Sequence, residues 1–209
     1  MTHSLHRRGD TAADKDFVWF MYQSKGINDV NIEEKAKRFI AVVENVGSAN
    51  WGDVKTGPTV SHDTQEIIDK ISQKSRLRGV FTSKEKVVQF LEEIKEEDVG
   101  LSVIVTGYID TIIEAAKEAG VKPHTINFSL GIFGNTDKLP DENTLQITTM
   151  CGHHMVPDDL VKRKRKEVKE GKITPDEAAE ELATYCPCGI FNQVRASEIL
   201  KLEKVVEND

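Results

Sequence analysis

An uninterrupted apolar run, LSVIVTG at 101–107, most constrains the fold, because it lies between two stretches with helical periodicity. The stretch before it begins after Ser83, a suitable N-cap, and places Val87 and Leu91 on one face. The stretch after it ends at Gly120. A strand that is apolar at successive positions is typical of a sheet covered on both faces. The sequence therefore predicts a sheet with flanking helices.

Three further runs indicate strands: GVFT at 79–82, HTINFSLGIFG at 124–134 and LQITT at 145–149. Strands that alternate with helices are typical of βαβ units, so we expect an α/β fold with a small, mostly parallel sheet. Residues 17–21 are apolar on every side, which fits a buried helix or a strand. The Gly-, Ser- and Asn-rich stretch 47–62 indicates a long loop.

The composition changes after Met150, where charged helical patterns replace the apolar runs. The stretch TPDEAAEELATY combines Thr174 as N-cap, Pro175 at the first helical position and Glu177 three residues after the cap, which predicts a capping box. We expect an α/β core over 1–149 and a helical Cys/His cap over 150–209, integrated into one domain.

The composition excludes several classes of function. The chain has 209 residues, 38% of them hydrophobic and 30% charged, as in ordinary globular proteins. A formal charge of −7 argues against nucleic-acid and anionic-membrane partners. No apolar run approaches the length of a membrane span, and the first residues lack the apolar core of a secretory signal. We therefore expect a cytoplasmic protein with reduced thiols.

All three cysteines and two of the six histidines fall in two short windows, CGHH at 151–154 and CPCG at 186–189. Thiolate and imidazole together suit zinc or iron, so the pattern predicts a metal site. The expected ligands are Cys151, His153, Cys186 and Cys188. His153 is two residues after Cys151 and can point the same way in an extended turn, which leaves His154 for another role, such as a catalytic proton carrier.

The identity of the metal depends on the spacing. C-x-H and C-x-C are tighter than the C-x₂₋₄-C pairs of most zinc sites. Three cysteines can hold a [4Fe–4S] cluster whose fourth iron binds histidine or stays open for substrate, so we expect the cluster, with zinc as the alternative. Two metal-free interpretations stay open: a thiol active site at Cys151 with a Cys186/Cys188 exchange pair, and buried sulfur without chemistry.

Two other segments carry candidate binding residues. Arg7 and Arg8 could clamp a small anion, or could belong to a solvated terminus. Ser129 lies on a predicted strand and Gly131 follows it, at the strand end where open α/β sheets bind ligands. The basic run 162–166 is either a solvated helix face or a docking site for an acidic electron-transfer protein.

These features predict an iron–sulfur or zinc metalloenzyme that acts on a small anionic substrate or transfers electrons. Two alternatives remain open. In one, a zinc ion staples a binding or regulatory module without chemistry. In the other, the protein carries a metal or sulfur between partners.

Overall fold

A computed structural model describes residues 2–9 and 12–205 and contains one five-stranded sheet. The strands are β1 Phe17–Tyr22, β2 Asn50–Asp53, β3 Gly57–Pro58, β4 Leu77–Phe81 and β5 Ser102–Thr106. Their order in the sheet is β3-β2-β4-β1-β5, and every neighbouring pair is antiparallel. The prediction of a mostly parallel sheet is therefore wrong, although the α/β class is correct.

The parallel prediction fails because β1 lies between β4 and β5. Both of those strands run antiparallel to β1, so they point in the same direction without being neighbours. The predicted strand–helix–strand unit exists, but its two strands are not neighbours in the sheet. The apolar run Phe17–Tyr22 forms the strand that lies between them. Without β3, this is the split β-α-β topology of ferredoxin-like folds. That name describes chain topology only and implies nothing about iron.

Nine α-helices are present in the described residues: α1 Ala12–Lys15, α2 Ile32–Val46, α3 Thr64–Asp69, α4 Lys84–Glu97, α5 Ile109–Glu118, α6 Glu142–Thr148, α7 Asp158–Lys169, α8 Pro175–Thr184 and α9 Gln193–Val205. The predicted capping box at Thr174 is confirmed, since Thr174 and Glu177 bond each other's backbone amides. None of these helices is both long enough and apolar enough to cross a bilayer.

Three local predictions are wrong. Residues 145–148 belong to α6 and not to a strand, because Asp141 caps a helix there. Residues 121–135 contain no strand and are irregular. The predicted loop 47–62 contains β2 and β3, which pair with each other.

Helices cover both faces of the sheet, and β1 contributes to both cores because its side chains alternate. Phe17, Trp19 and Met21 pack in the first core, which also holds most of the buried residues of α2 and all those of α4. Val18 and Phe20 pack in the second core, which is otherwise built from α6 to α9 and the turns between them. The helices after 140 thus form a layer on one face of the sheet, and this layer contains all three cysteines.

Candidate metal centre

Two turns of the C-terminal layer hold the cysteines. Cys151 follows α6, in a turn closed by a bond from the His154 amide to the Cys151 carbonyl at 3.0 Å. Cys186 and Cys188 lie between α8 and α9, where the Gly189 amide bonds the Cys186 carbonyl at 3.1 Å. All three cysteine side chains are buried, with at most 1% of the residue exposed. The turns aim the thiols inward, as side chains of the second core.

Gly189 lets the second turn approach the sheet closely. Its φ is +76°, and a Cβ atom there would collide with the backbone of Trp51 and Gly52 in β2. Next to it, the Asn50 side-chain amide donates to the Phe191 carbonyl at 3.1 Å. The cysteine turn is therefore fixed against β2, on the face of the sheet and not at its end.

The four predicted ligands lie together. The sulfurs of Cys186 and Cys188 are 3.7 Å apart, and the Cys188 sulfur is 3.8 Å from His153 Nδ1. Cys151 lies close enough to Cys186 for the two thiols to shift each other's pKa. Cys186 is thus a neighbour of both other cysteines, and His153 stands next to Cys188.

Hydrogen bonding with Cys186 gives the three thiols different pKa values. The hydrogen bond with Cys186 lowers the pKa of Cys151 to about 6 against the opposing effect of burial. The same partner lowers the pKa of Cys188 to about 6, helped by the Ile190 amide and the charge of Arg78. The pKa of Cys186 is raised, because hydrogen bonding with Cys151 and Cys188 and burial both favour its protonated form. Cys151 and Cys188 are therefore the more acidic thiols of the three.

The four side chains lie together without forming a coordination sphere. Within the described residues, no group of three or more His, Cys, Asp and Glu side chains is arranged so that it could hold a metal ion. The two sulfur contacts nonetheless have the spacing of atoms that share a ligand shell.

A buried ion pair links both turns to the N-terminus. Arg7 Nη1 donates to the two Asp16 carboxylate oxygens at 2.5 and 2.6 Å. Arg7 Nη2 donates to the Met150 carbonyl at 3.0 Å and also to the Ile190 carbonyl. These carbonyls lie one residue before Cys151 and two after Cys188. Arg7 therefore holds the two cysteine turns at a fixed separation.

A second buried arginine completes this network. Arg195 Nη1 donates to Asp16 Oδ2 at 2.8 Å, and the Asn192 amide donates to Asp16 Oδ1 at 3.1 Å. Sequence reasoning missed Asp16, Asn192 and Arg195. The only local signal was a charged residue directly before the apolar run of β1.

The two arginines predicted as an anion clamp have different environments. The Arg7 side chain is buried against Asp16, whereas Arg8 pairs with Glu142 at 3.1 Å on the surface. Ser129 and Gly131 lie far along the exposed segment after α5, where the Gly131 amide bonds the Ser129 hydroxyl at 3.3 Å. The structure thus does not gather these four residues into one pocket.

His154 lines a cleft beside the thiols. Its φ is +57°, an unusual conformation for a residue other than glycine, and its side chain is exposed. The cleft has a volume of about 410 Å³, and its wall includes His6, Lys138, Cys151 and Asp158. A small molecule in this cleft would contact the first cysteine turn.

The basic run 162–166 is largely paired within α7 and its surroundings. Lys162 bonds Asp158 at 2.8 Å, Lys164 bonds Glu181 at 2.6 Å, and Arg165 bonds Asp141 at 2.7 Å. With Lys166, which lies 3.8 Å from Glu170, four of the five basic residues of the run have an acidic partner within the chain.

Comparison of the chain with protein-family models, with curated proteins and with solved structures finds no match.

Proposed function

We propose that Cys151, His153, Cys186 and Cys188 bind one zinc ion that joins the two turns of the C-terminal layer. The distance between the Cys186 and Cys188 sulfurs, 3.7 Å, carries this proposal. Zinc–sulfur bonds of about 2.3 Å in a tetrahedron place the sulfurs about 3.8 Å apart. The spacing therefore suits two thiolates that share one ion.

The same spacing favours zinc over the [4Fe–4S] cluster expected from the sequence. In a cluster each cysteine binds a separate iron, so the ligand sulfurs stand further apart than around one ion. Four residues in contact leave no room for a cubane between them unless both turns separate. Arg7 bonds a carbonyl in each turn, and Gly189 packs the second turn closely against β2. Both contacts oppose such a movement.

Charge also supports a cation at this position. The pKa values of Cys151 and Cys188 are lowered, which favours their thiolate forms, whereas burial opposes a buried charge without a partner. A divalent cation would compensate both, and Cys186 would lose its proton on binding. Three free thiols suit a reducing compartment, so we propose a cytoplasmic location.

Four protein ligands close a zinc site, which is typical of a structural ion. We therefore infer a zinc-stapled module whose metal does no chemistry. One observation favours a metalloenzyme as second candidate: the cleft reaches Cys151, with His154, His6 and Lys138 on its wall. There His154 would carry protons for a small anionic ligand, while the ion would supply Lewis-acid chemistry if it exchanged a protein ligand.

The adjacent histidines supply a matched test. We expect purified wild-type protein to bind about one zinc per chain, His153→Ala to lose most of its affinity, and His154→Ala to retain it. Metal content is measured by elemental analysis, and affinity by competition with a chromophoric chelator. Iron with acid-labile sulfide, or equal affinity in both variants, would contradict the proposal.

Cobalt substitution distinguishes the two candidates. Tetrahedral cobalt bound to thiolates absorbs strongly in the visible range, and the bands shift when a ligand exchanges. We expect a spectrum that inorganic phosphate leaves unchanged, as for a closed structural site. A shift on adding phosphate that His154→Ala abolishes would instead support the enzyme.

A further inference from the structure

The segment 122–139 is exposed at every residue and carries an unusual concentration of large apolar side chains. Leu130 is 86% exposed and Phe133 is 81% exposed, and Ile126, Phe128 and Ile132 also face solvent. Between Lys122 and Asp137 the segment contains no Asp, Glu, Lys or Arg. Large exposed apolar patches on proteins mark interaction sites.

The spacing within this segment is that of a strand. Ile126, Phe128, Leu130 and Ile132 occupy every second position, so an extended chain would place all four on one face. An irregular conformation leaves that face uncovered. The segment therefore has the pattern of a strand without a sheet to join.

The edge strand β5 has the complementary property. Within the described part of the chain it pairs only with β1, so its outer backbone groups face away from the sheet. Its sequence, SVIVT, has no charged residue or proline, which are the usual means of protecting an edge. Such an edge is a template for another strand.

We propose that two copies of the chain form a dimer in which residues 124–132 of each copy pair with β5 of the other. One chain carries both the strand-patterned segment and the open edge, so a two-fold axis satisfies both contacts at once. The contact is independent of the metal site.

The available area is sufficient for such a dimer. The exposed fractions of the five side chains at 126–133 add up to about three whole side chains. At roughly 150–250 Å² per large side chain this is on the order of 500–800 Å². A standard interface buries about 800 Å² per partner.

Sedimentation velocity over a concentration series tests the dimer. We expect wild-type protein to be dimeric at micromolar concentration, and the double variant Phe128→Asp/Phe133→Asp to be monomeric with at least a tenfold weaker dimer. Ile27→Asp/Val30→Asp is the matched control, since Ile27 and Val30 are exposed apolar residues outside the segment. A monomeric wild type, or a dimer that survives in the Phe128/Phe133 variant, would overturn the proposal.

Hydrogen exchange identifies the contact surface. Amides of 124–132 and of β5 should be protected in the dimer and lose protection together on dilution or in the Phe128/Phe133 variant. Protection that does not depend on concentration would mean that the segment pairs with β5 of its own chain, and would exclude the exchanged dimer.

Discussion

Arg7 and Arg8 are adjacent residues of one type with opposite roles. Arg8 forms a surface pair with Glu142, a kind of contact that contributes little to stability. Arg7 donates to a buried carboxylate and to one carbonyl in each cysteine turn. It is a positioning residue for the proposed zinc site, because it fixes the separation of ligands that it does not touch.

We expect Arg7→Lys to weaken zinc binding about 10- to 100-fold, as loss of a group that orients metal ligands typically does. Lysine keeps the charge but cannot span Asp16 and both carbonyls with a planar fork. Arg8→Lys is the control and should bind zinc like wild type. Chelator competition measures affinity, and unfolding in excess chelator measures the effect on the metal-free fold. Equal zinc affinity in the two variants would contradict the positioning role.

The four candidate ligands could be proposed at this scale, but the network that positions them could not be predicted. Cys151 and His153 stand two positions apart and Cys186 and Cys188 likewise, so residue type and local spacing were enough to propose them. Asp16 and Arg195 are separated by 179 positions and meet only in the folded chain. A buried charge network leaves no periodic signal in the sequence. The polar residues around Arg7 indicate an exposed terminus, so its buried position could not be predicted.

At the scale of elements, α6 shows how a local cap overrides a strand pattern. The run LQITT contains the β-branched residues that favour strands. Asp141 nevertheless accepts bonds from the Thr144 amide at 3.1 Å and its hydroxyl at 2.7 Å, which starts a helix at Glu142. The run is too short for periodicity to decide. The cap residue before it was the informative signal.

The Asp141 cap is also an ion pair with Arg165, so its contribution depends on pH. Burial raises the pKa of Asp141, but hydrogen bonds from Thr144 and the Arg165 guanidinium outweigh this effect and lower the pKa to about 2. A carboxyl whose pKa is lowered in the folded state stabilises the fold above its unfolded pKa of about 4. That contribution is lost as pH falls from about 4 through about 2.

We expect Asp141→Asn to lower the free energy of unfolding by about 1 kcal/mol at pH 7, after discounting for the half-exposed side chain. The difference from wild type should shrink towards zero by pH 2. Urea unfolding at pH 7, 4 and 2 measures it, and acid release of zinc affects both proteins alike. Asp63→Asn changes the cap of α3 and serves as control. A difference that stays constant down to pH 2 would refute the ionic contribution.

Strand order is the part of the fold that the sequence did not reveal. The runs at β4 and β5 and the helix between them were all predicted, but whether β1 lies between these strands depends on contacts between distant segments. The four-residue strand β2, NWGD, resembles a loop because it contains glycine, asparagine and aspartate. Gly52 also lies close to β3, where a Cβ atom would collide with the Gly57 carbonyl.

At the scale of the whole molecule, we expect the two cores to differ in how much they depend on the proposed zinc ion. The first core, with α2, α4 and α5, is closed by aromatic contacts such as Phe81–Phe90 at 5.1 Å and contains no cysteine. The second core contains all three cysteines among its buried residues. Zinc removal should therefore loosen one face of the sheet before the other.

We expect excess chelator to lower the free energy of unfolding by about 5 kcal/mol, less than the binding energy of zinc-finger peptides because an apolar core remains. For a chain of this size, that corresponds to roughly 10–20 °C in Tm. Hydrogen exchange should accelerate in α6 to α9 and stay slow in α2 and α4. Re-addition of zinc should restore protection in wild type and His154→Ala, but not in Cys186→Ser. Equal loss of protection in α6 to α9 and in α2 and α4 would contradict this expectation. It would mean that the two layers unfold together and that the ion stabilises the whole sheet.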